Sequence, residues 1–236
     1  MGHPYLNLNI FIALWYVDKM LSYKYKDDDV LEVGIDEAGR GSLFGRLYTG
    51  AVILPFDKDD IFDHGAELHR INDSKKLTKR KRDILYDYVK EVALDWATGY
   101  AEPVEIDEMN ILQADLMAMR RASSKLVFTA GRYLIDGDTA VNFSKPGSVV
   151  EEYCIPQGDA KYLSIAAASI IAKVEHDRWI QEVCATDPEL DTKYGLLSNM
   201  GYGTATHMNG LKQHGASALH RKSFKPVKDV IGWLGS

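Results

Sequence analysis

The sequence predicts an α/β domain: a mixed β-sheet flanked by helices, followed by a small C-terminal helical extension. Three observations carry this expectation. Two short runs rich in β-formers, VLEVGID from Val30 to Asp36 and LYTGAVIL from Leu47 to Leu54, face each other across a glycine-rich turn. Beyond them, helical and extended patterns alternate to about residue 183. The chain then turns polar and glycine-rich and ends on basic residues.

The elements follow in order. Thr78 is placed to cap a helix whose Ile84, Leu85, Tyr88, Val89 and Val92 form one apolar face. Ala93 to Ala101 reads as a strand. One helix is expected from Val104 to Leu126, where Met109, Leu112, Leu116 and Met119 recur at spacings of three and four and form a core stripe. Arg132 to Asp136 is a short strand ending on an acid, and Val149 to Ile155 an edge strand. Leu163 to Val183 is a buried, alanine-rich helix, in which Ser164 and Ser169 are small enough to permit close packing.

With 236 residues, 46% of them hydrophobic, the chain can bury one substantial core. Cys154 and Cys184 are too few for a disulfide framework and point to a reduced, cytoplasmic protein. The apolar run Ile10 to Val17 is too short to cross a bilayer and lacks the basic flank of a signal peptide, so no membrane is expected. The net charge is −6, yet cations are concentrated. KKLTKRKR, from Lys75 to Arg82, holds six basic residues in eight, and Arg221, Lys222, Lys225 and Lys228 crowd the tail. Such clusters are solvated faces or polyanion contacts. His207, His214 and His220 lack zinc-like spacing and read as packing or surface residues.

Three acids stand where elements begin or end: Asp36 ends the first strand, Asp136 ends the fourth, and Asp159 stands just before the long helix. Ligands of open α/β sheets gather beyond the strands' carboxyl ends. Acids brought together repel, and a hard divalent cation removes that repulsion while selecting oxygen ligands. Taken singly, Asp136 and Asp159, each beside a glycine, are turn residues. Glu37 poses a geometric problem, because strand neighbours point to opposite faces. For it to join Asp36 the strand must break there, or Glu37 must bind from the side or through its backbone carbonyl.

Six segments in order, GIDEAGRG (34–41), NDSKKL (72–77), IDG (135–137), GDAKYLSIAAASIIAK (158–173), GYGT (201–204) and HRKSF (220–224), resemble those of the ribonuclease HII family. The resemblance runs from Met20 to the C-terminus and leaves residues 1–19 as an extension without counterpart. It implies a ribonuclease H-like mixed sheet. It implies that Asp36, Glu37, Asp136 and Asp159 hold two divalent metals, Mg2+ or Mn2+. By the same resemblance Gly39, Arg40 and Gly41 lie against the ribose 2′-hydroxyl, Tyr202 packs under the ribonucleotide, and Asn72, Ser74 and Lys75 grip phosphates. The implied substrates are RNA/DNA hybrid and DNA duplex containing ribonucleotides. Cleavage would fall 5′ of the ribonucleotide, leaving 5′-phosphate and 3′-hydroxyl ends, by a monomer. Ser42, Leu43 and Phe44 after the GRG triplet, Met200 before GYGT, and the Glu175-His176 pair depart from the family's usual residues. A ribonuclease H-fold nuclease that cuts DNA, an inactive hybrid-binding module and the sister type, ribonuclease HIII, against which GYGT argues, remain the alternatives. The GRG triplet with Tyr202 argues against the first, and the four acids against the second.

Overall fold

A computed structural model describes residues 21–56, 78–143 and 150–234. The expectations for Asn72, Ser74 and Lys75, and for the extension 1–19, lie outside the described residues.

Five strands form one mixed sheet in the order β3-β2-β1-β4-β5. They are β1 (Glu32–Ala38), β2 (Leu47–Ile53), β3 (Asp95–Ala101), β4 (Arg132–Asp136) and β5 (Glu151–Ile155). β1, β2 and β3 make an antiparallel meander, whereas β4 and β5 run parallel to β1. Helices α1 (Lys79–Val92), α2 (Pro103–Met109), α3 (Ile111–Ser124) and α4 (Leu163–Thr186) surround it. α4 lies across β1 and β2 with α1 against it, while α3 covers β2 and β3 from the other side. The close seats need missing side chains. A Cβ at Gly34 would meet the Ser164 backbone of α4 at 2.1 Å, and one at Gly99 the Ala118 carbonyl of α3 at 2.1 Å.

The C-terminal extension is α5 (Pro188–Tyr194), α6 (Leu196–Asn199), α7 (Ala205–His214) and α8 (Lys225–Leu234). It shares a core with the loop after β1, in which Leu43, Phe44, Trp179, Tyr194, Leu196 and Leu211 are buried together. His207 and His220 are buried there, their Nε2 atoms 3.0 Å apart, in keeping with a packing role. Among the described residues no helix is long and apolar enough to cross a membrane.

Three expectations are corrected. The single helix from Val104 to Leu126 is two helices, broken at Asn110, whose φ of 72° ends α2. Its side-chain Oδ1 accepts from Leu112 and Gln113 N–H to cap α3, a local bond that asparagine offers in place of a further helical turn. The apolar stripe continues across the break, so periodicity alone does not reveal it. On α1, Ile84 is exposed and Tyr86 is buried in its stead. Arg221 is not a surface cation of the tail; it is wholly buried.

Arg132, also buried, donates to Asp28 at 2.7 Å, Glu32 at 2.6 Å and Glu151 at 2.9 Å. Its hydrogen bond holds the Asp28 carboxyl at about 2, and Lys26 together with Arg132 holds Glu151 at about 2. Both folded values lie below the ordinary 3.8 and 4.5, so on acidification the unfolded chain takes up protons first. Stability from these pairs is therefore complete above roughly pH 5 and is lost as the pH falls towards roughly 2. Melting midpoints measured across that window should drop steadily. A flat profile down to the lower limit would show that the pairs contribute nothing to stability.

Candidate active site

β1 and β4 are parallel neighbours in the register Ile35 with Ile135, so Asp36 and Asp136 are the next residues at adjoining carboxyl ends. Val33 and Ile35 pack in the core on the α3 side, and Gly34 against α4. Alternation then turns Asp36 towards α4, where the Ser169 hydroxyl bonds to it, and Glu37 towards α3, where Asp115 lies. β1 does not break at Glu37; its pairing with β2 runs on to Ala38. The two faces meet at the end of the sheet instead. Oxygens from Asp36, Glu37 and Asp136 lie within 4.8 Å of one another there.

These carboxylates are held by main-chain donors. Glu37 N–H donates to Asp36 Oδ1 at 2.7 Å, and Gly158 N–H to Asp136 Oδ1 at 2.6 Å. The second bond docks the 3-10 turn Gly158–Ala160, which carries Asp159, against the end of β4. Asp159 is buried, next in sequence to the Gly158 that bonds Asp136, but supplies no oxygen to the group of three. Burial, with the charges of Glu37 and Asp136 added, pushes the Asp36 carboxyl well above its usual range. Burial raises Glu37 too, against the opposing Arg40. Converging hard oxygens, with Asp36 and Glu37 disfavoured as anions by burial and by neighbouring acids, fit a divalent cation.

The GRG loop leaves the strand beside these acids. Gly39 takes φ of 81°, and a Cβ on it would strike the His176 ring at 2.4 Å. Its N–H donates to the Tyr202 hydroxyl at 3.2 Å, and Ser42 bridges to Tyr202. A Cβ on the exposed Gly41 would lie 3.9 Å from the Tyr202 ring. Arg40 reaches back to Asp115 at 3.3 Å and to Glu37 at 3.7 Å. Lys173 stands 5.4 Å from the Tyr202 ring centre. It also pairs with Asp177, which gathers His176 and Arg82, so the basic start of α1 is tied to this side of the molecule.

The structure thus brings Asp36, Glu37 and Asp136 into one cluster, with Asp159 on the turn that bonds Asp136. Gly39, Arg40, Gly41 and Tyr202 form a second group that touches the first through Arg40. Sequence reasoning missed Asp115, whose Oδ1 has no hydrogen-bond partner among the described residues. Burial pushes its carboxyl up to about 8, with Glu37 adding and Arg40 opposing. The signal was present, since an acid sits on the apolar stripe between Leu112 and Leu116. Ser169, read as a packing residue, also bonds Asp36. His176 could not be linked to Gly39 from sequence at all.

The sequence profile of the family described as Ribonuclease HII matches residues 33–227. The chain is 42% identical over 201 residues to the ribonuclease HII of Shewanella oneidensis, covering 85% of this chain and 90% of that one. It is 42% identical over 207 residues to the ribonuclease HII of Enterococcus faecalis, covering 88% and 74%. Its fold is similar to the crystal structure of the ribonuclease H2 from Pyrococcus horikoshii OT3, with a TM-score of 0.66 and 25% identity over 87% of this chain and 99% of that one. The matched stretch runs from β1 into α8 and contains both groups of site residues, so the chain belongs to the ribonuclease HII family and is a ribonuclease H endonuclease.

Proposed function

We propose that Asp36, Glu37, Asp136 and Asp159 hold Mg2+ or Mn2+ and that the protein cuts 5′ of ribonucleotides embedded in duplex DNA, as well as within the RNA strand of continuous hybrid. The observation that carries this reading is the hydrogen bond from Gly39 N–H to the Tyr202 hydroxyl. It joins the loop that follows the acids to the aromatic ring, so a sugar gripped between them lies next to the carboxylates. The 2′-hydroxyl is what distinguishes RNA from DNA at a single position. The exposed Gly41 lets the main chain approach it without a side chain between, while Gly39 makes room for the His176 ring.

What bound cations supply is activation of the attacking water and stabilisation of the leaving 3′-oxygen. The protein's own groups do the rest. Ser169 and Glu37 N–H orient Asp36, Gly158 N–H orients Asp136, and the Tyr202 ring supports the sugar. Exposed Lys79, Arg80 and Lys81 on α1, with Lys75 before it, offer charge to the phosphate backbone. The same reading makes the protein a monomer of the reduced cytoplasm, with Cys154 and Cys184 as free thiols.

The test is duplex DNA with one internal ribonucleotide, incubated with Mg2+, Mn2+ or a chelator. One incision 5′ of the ribonucleotide is expected with either metal and none with chelator. Equal cutting of an all-DNA duplex would overturn the reading.

A further inference from the structure

The loop from Gly39 to Gly45 is held by residues near the far end of the chain. Leu43 N–H donates to the Gly201 carbonyl at 2.8 Å, and Gly45 N–H to the Leu219 carbonyl at 2.9 Å. The Leu43 carbonyl accepts from Arg221 N–H at 2.9 Å, and Phe44 bridges to His220 with its ring edge-on at 5.1 Å. One side chain adds two more ties. Arg221 Nε donates to the Gly45 carbonyl at 2.9 Å, and its Nη1 to the Arg40 carbonyl at 3.1 Å.

Arg221 is wholly buried, and its Nη2 has no hydrogen-bond partner among the described residues. Burial pulls the guanidinium down to about 10, which still leaves it charged at neutral pH. Burying a cation against main-chain carbonyls is a costly way to close a loop. An apolar residue would fill the same space. What it would not do is fix two carbonyls, five residues apart, relative to each other. A planar fork with donors at set angles does this, and a lysine's single ammonium does not. The two carbonyls bracket the segment that starts at Gly41, an exposed glycine whose Cβ would lie 3.9 Å from the Tyr202 ring.

We propose that Arg221 is a positioning residue for recognition of the 2′-hydroxyl, clamping both ends of the 40–45 segment so that its main chain meets the sugar at one fixed distance. This rests on the reading that the GRG loop contacts that hydroxyl. A small displacement there should damage discrimination more than binding, because phosphate contacts elsewhere supply most of the affinity.

The experiment compares cleavage of two duplexes, one with a single ribonucleotide and one with a single 2′-fluoro-2′-deoxyribonucleotide. Wild type, Arg221→Lys and Arg221→Gln are each assayed below their measured melting midpoints. Wild type should prefer the ribonucleotide by on the order of 1000-fold, because a site built to bond a hydroxyl rejects its isostere strongly. Arg221→Lys and Arg221→Gln should lower that ratio by roughly 10- to 100-fold, the scale expected from misplacing a reacting group by about an ångström. Their affinity for uncleaved substrate should stay within about threefold, since the phosphate contacts remain. A wild-type ratio near one would overturn the 2′-hydroxyl reading itself, and the proposal with it. A high wild-type ratio retained by folded variants, with both rates falling together, would overturn the proposal alone. Failure of both variants to fold would make Arg221 a structural residue of the tail and would overturn it as well.

Discussion

Asp36→Asn is expected to abolish cleavage, with turnover falling by about four decades or more while the protein still folds and binds hybrid. Asp36 is the acid on which the site's supports converge. It is 4% exposed, bonded by the Ser169 hydroxyl and the Glu37 N–H, and crowded by Glu37 and Asp136. Asparagine preserves its size and one oxygen but removes the charge that a cation needs. Four decades correspond to about 5.5 kcal/mol of transition-state stabilisation, the scale of a lost metal ligand. The change should not weaken the fold. Three carboxylates repelling one another in a buried place oppose folding when no cation is bound, and removing one relieves that strain. Two measurements made together decide the matter: single-turnover cleavage with Mg2+, and the melting midpoint in chelator. Near-normal turnover in a folded preparation would sink the assignment. A collapsed melting midpoint would mean that Asp36 is a structural acid.

Tyr202→Ala should lower cleavage at a lone ribonucleotide by roughly 10- to 100-fold, the scale of one lost aromatic contact. Continuous hybrid should suffer less, because many positions are offered and neighbouring 2′-hydroxyls add contacts. Tyr202→Phe keeps the ring but is not silent here. The hydroxyl it deletes accepts the Gly39 N–H, and Gly39 is buried. Leaving that donor unpaired costs about 1–3 kcal/mol. Phenylalanine should therefore lie between tyrosine and alanine on both substrates. If Tyr202 only braces its loop, alanine will reduce the two activities in parallel with thermal stability. Rates on both substrates beside melting midpoints separate these outcomes.

Much of this arrangement was legible in the sequence for identifiable reasons. Asp136 ends β4 as expected, and Asp36, though β1 runs two residues further, lies near that strand's carboxyl end, which parallel pairing brings beside the end of β4. Thr78 caps α1 as its side chain requires, accepting from Lys81 N–H. Residues whose meaning depends on a distant partner were opaque. Arg221 sits among lysines and carries no mark of its burial. Asp115 looks like a flaw in an apolar stripe until Arg40 is placed beside it. Glu37 was legible as a difficulty but not as its solution, because alternation along β1 says nothing about side chains from its two faces converging beyond the end of the shorter neighbour β4. Ser42, Leu43 and Phe44, which depart from the family's usual residues, are all buried, with Leu43 and Phe44 packed against the C-terminal helices.

The ties between the loop after β1 and the C-terminal segment join residues 158 to 181 positions apart. In free energy such a closure is only modestly dearer than a short one, because loop entropy grows with the logarithm of length. In time the difference is large, since contacts between remote segments form late. Synthesis makes the order absolute, because the chain is delivered from its N-terminal side. Asp36 and Glu37 leave the ribosome long before Tyr202 and Arg221 exist to seat the loop beside them. A polypeptide interrupted between Glu37 and Tyr202 carries the first pair of acids without the residues that seat the loop following them. The loop after β1 is therefore seated only after Tyr202 and Arg221 have been made.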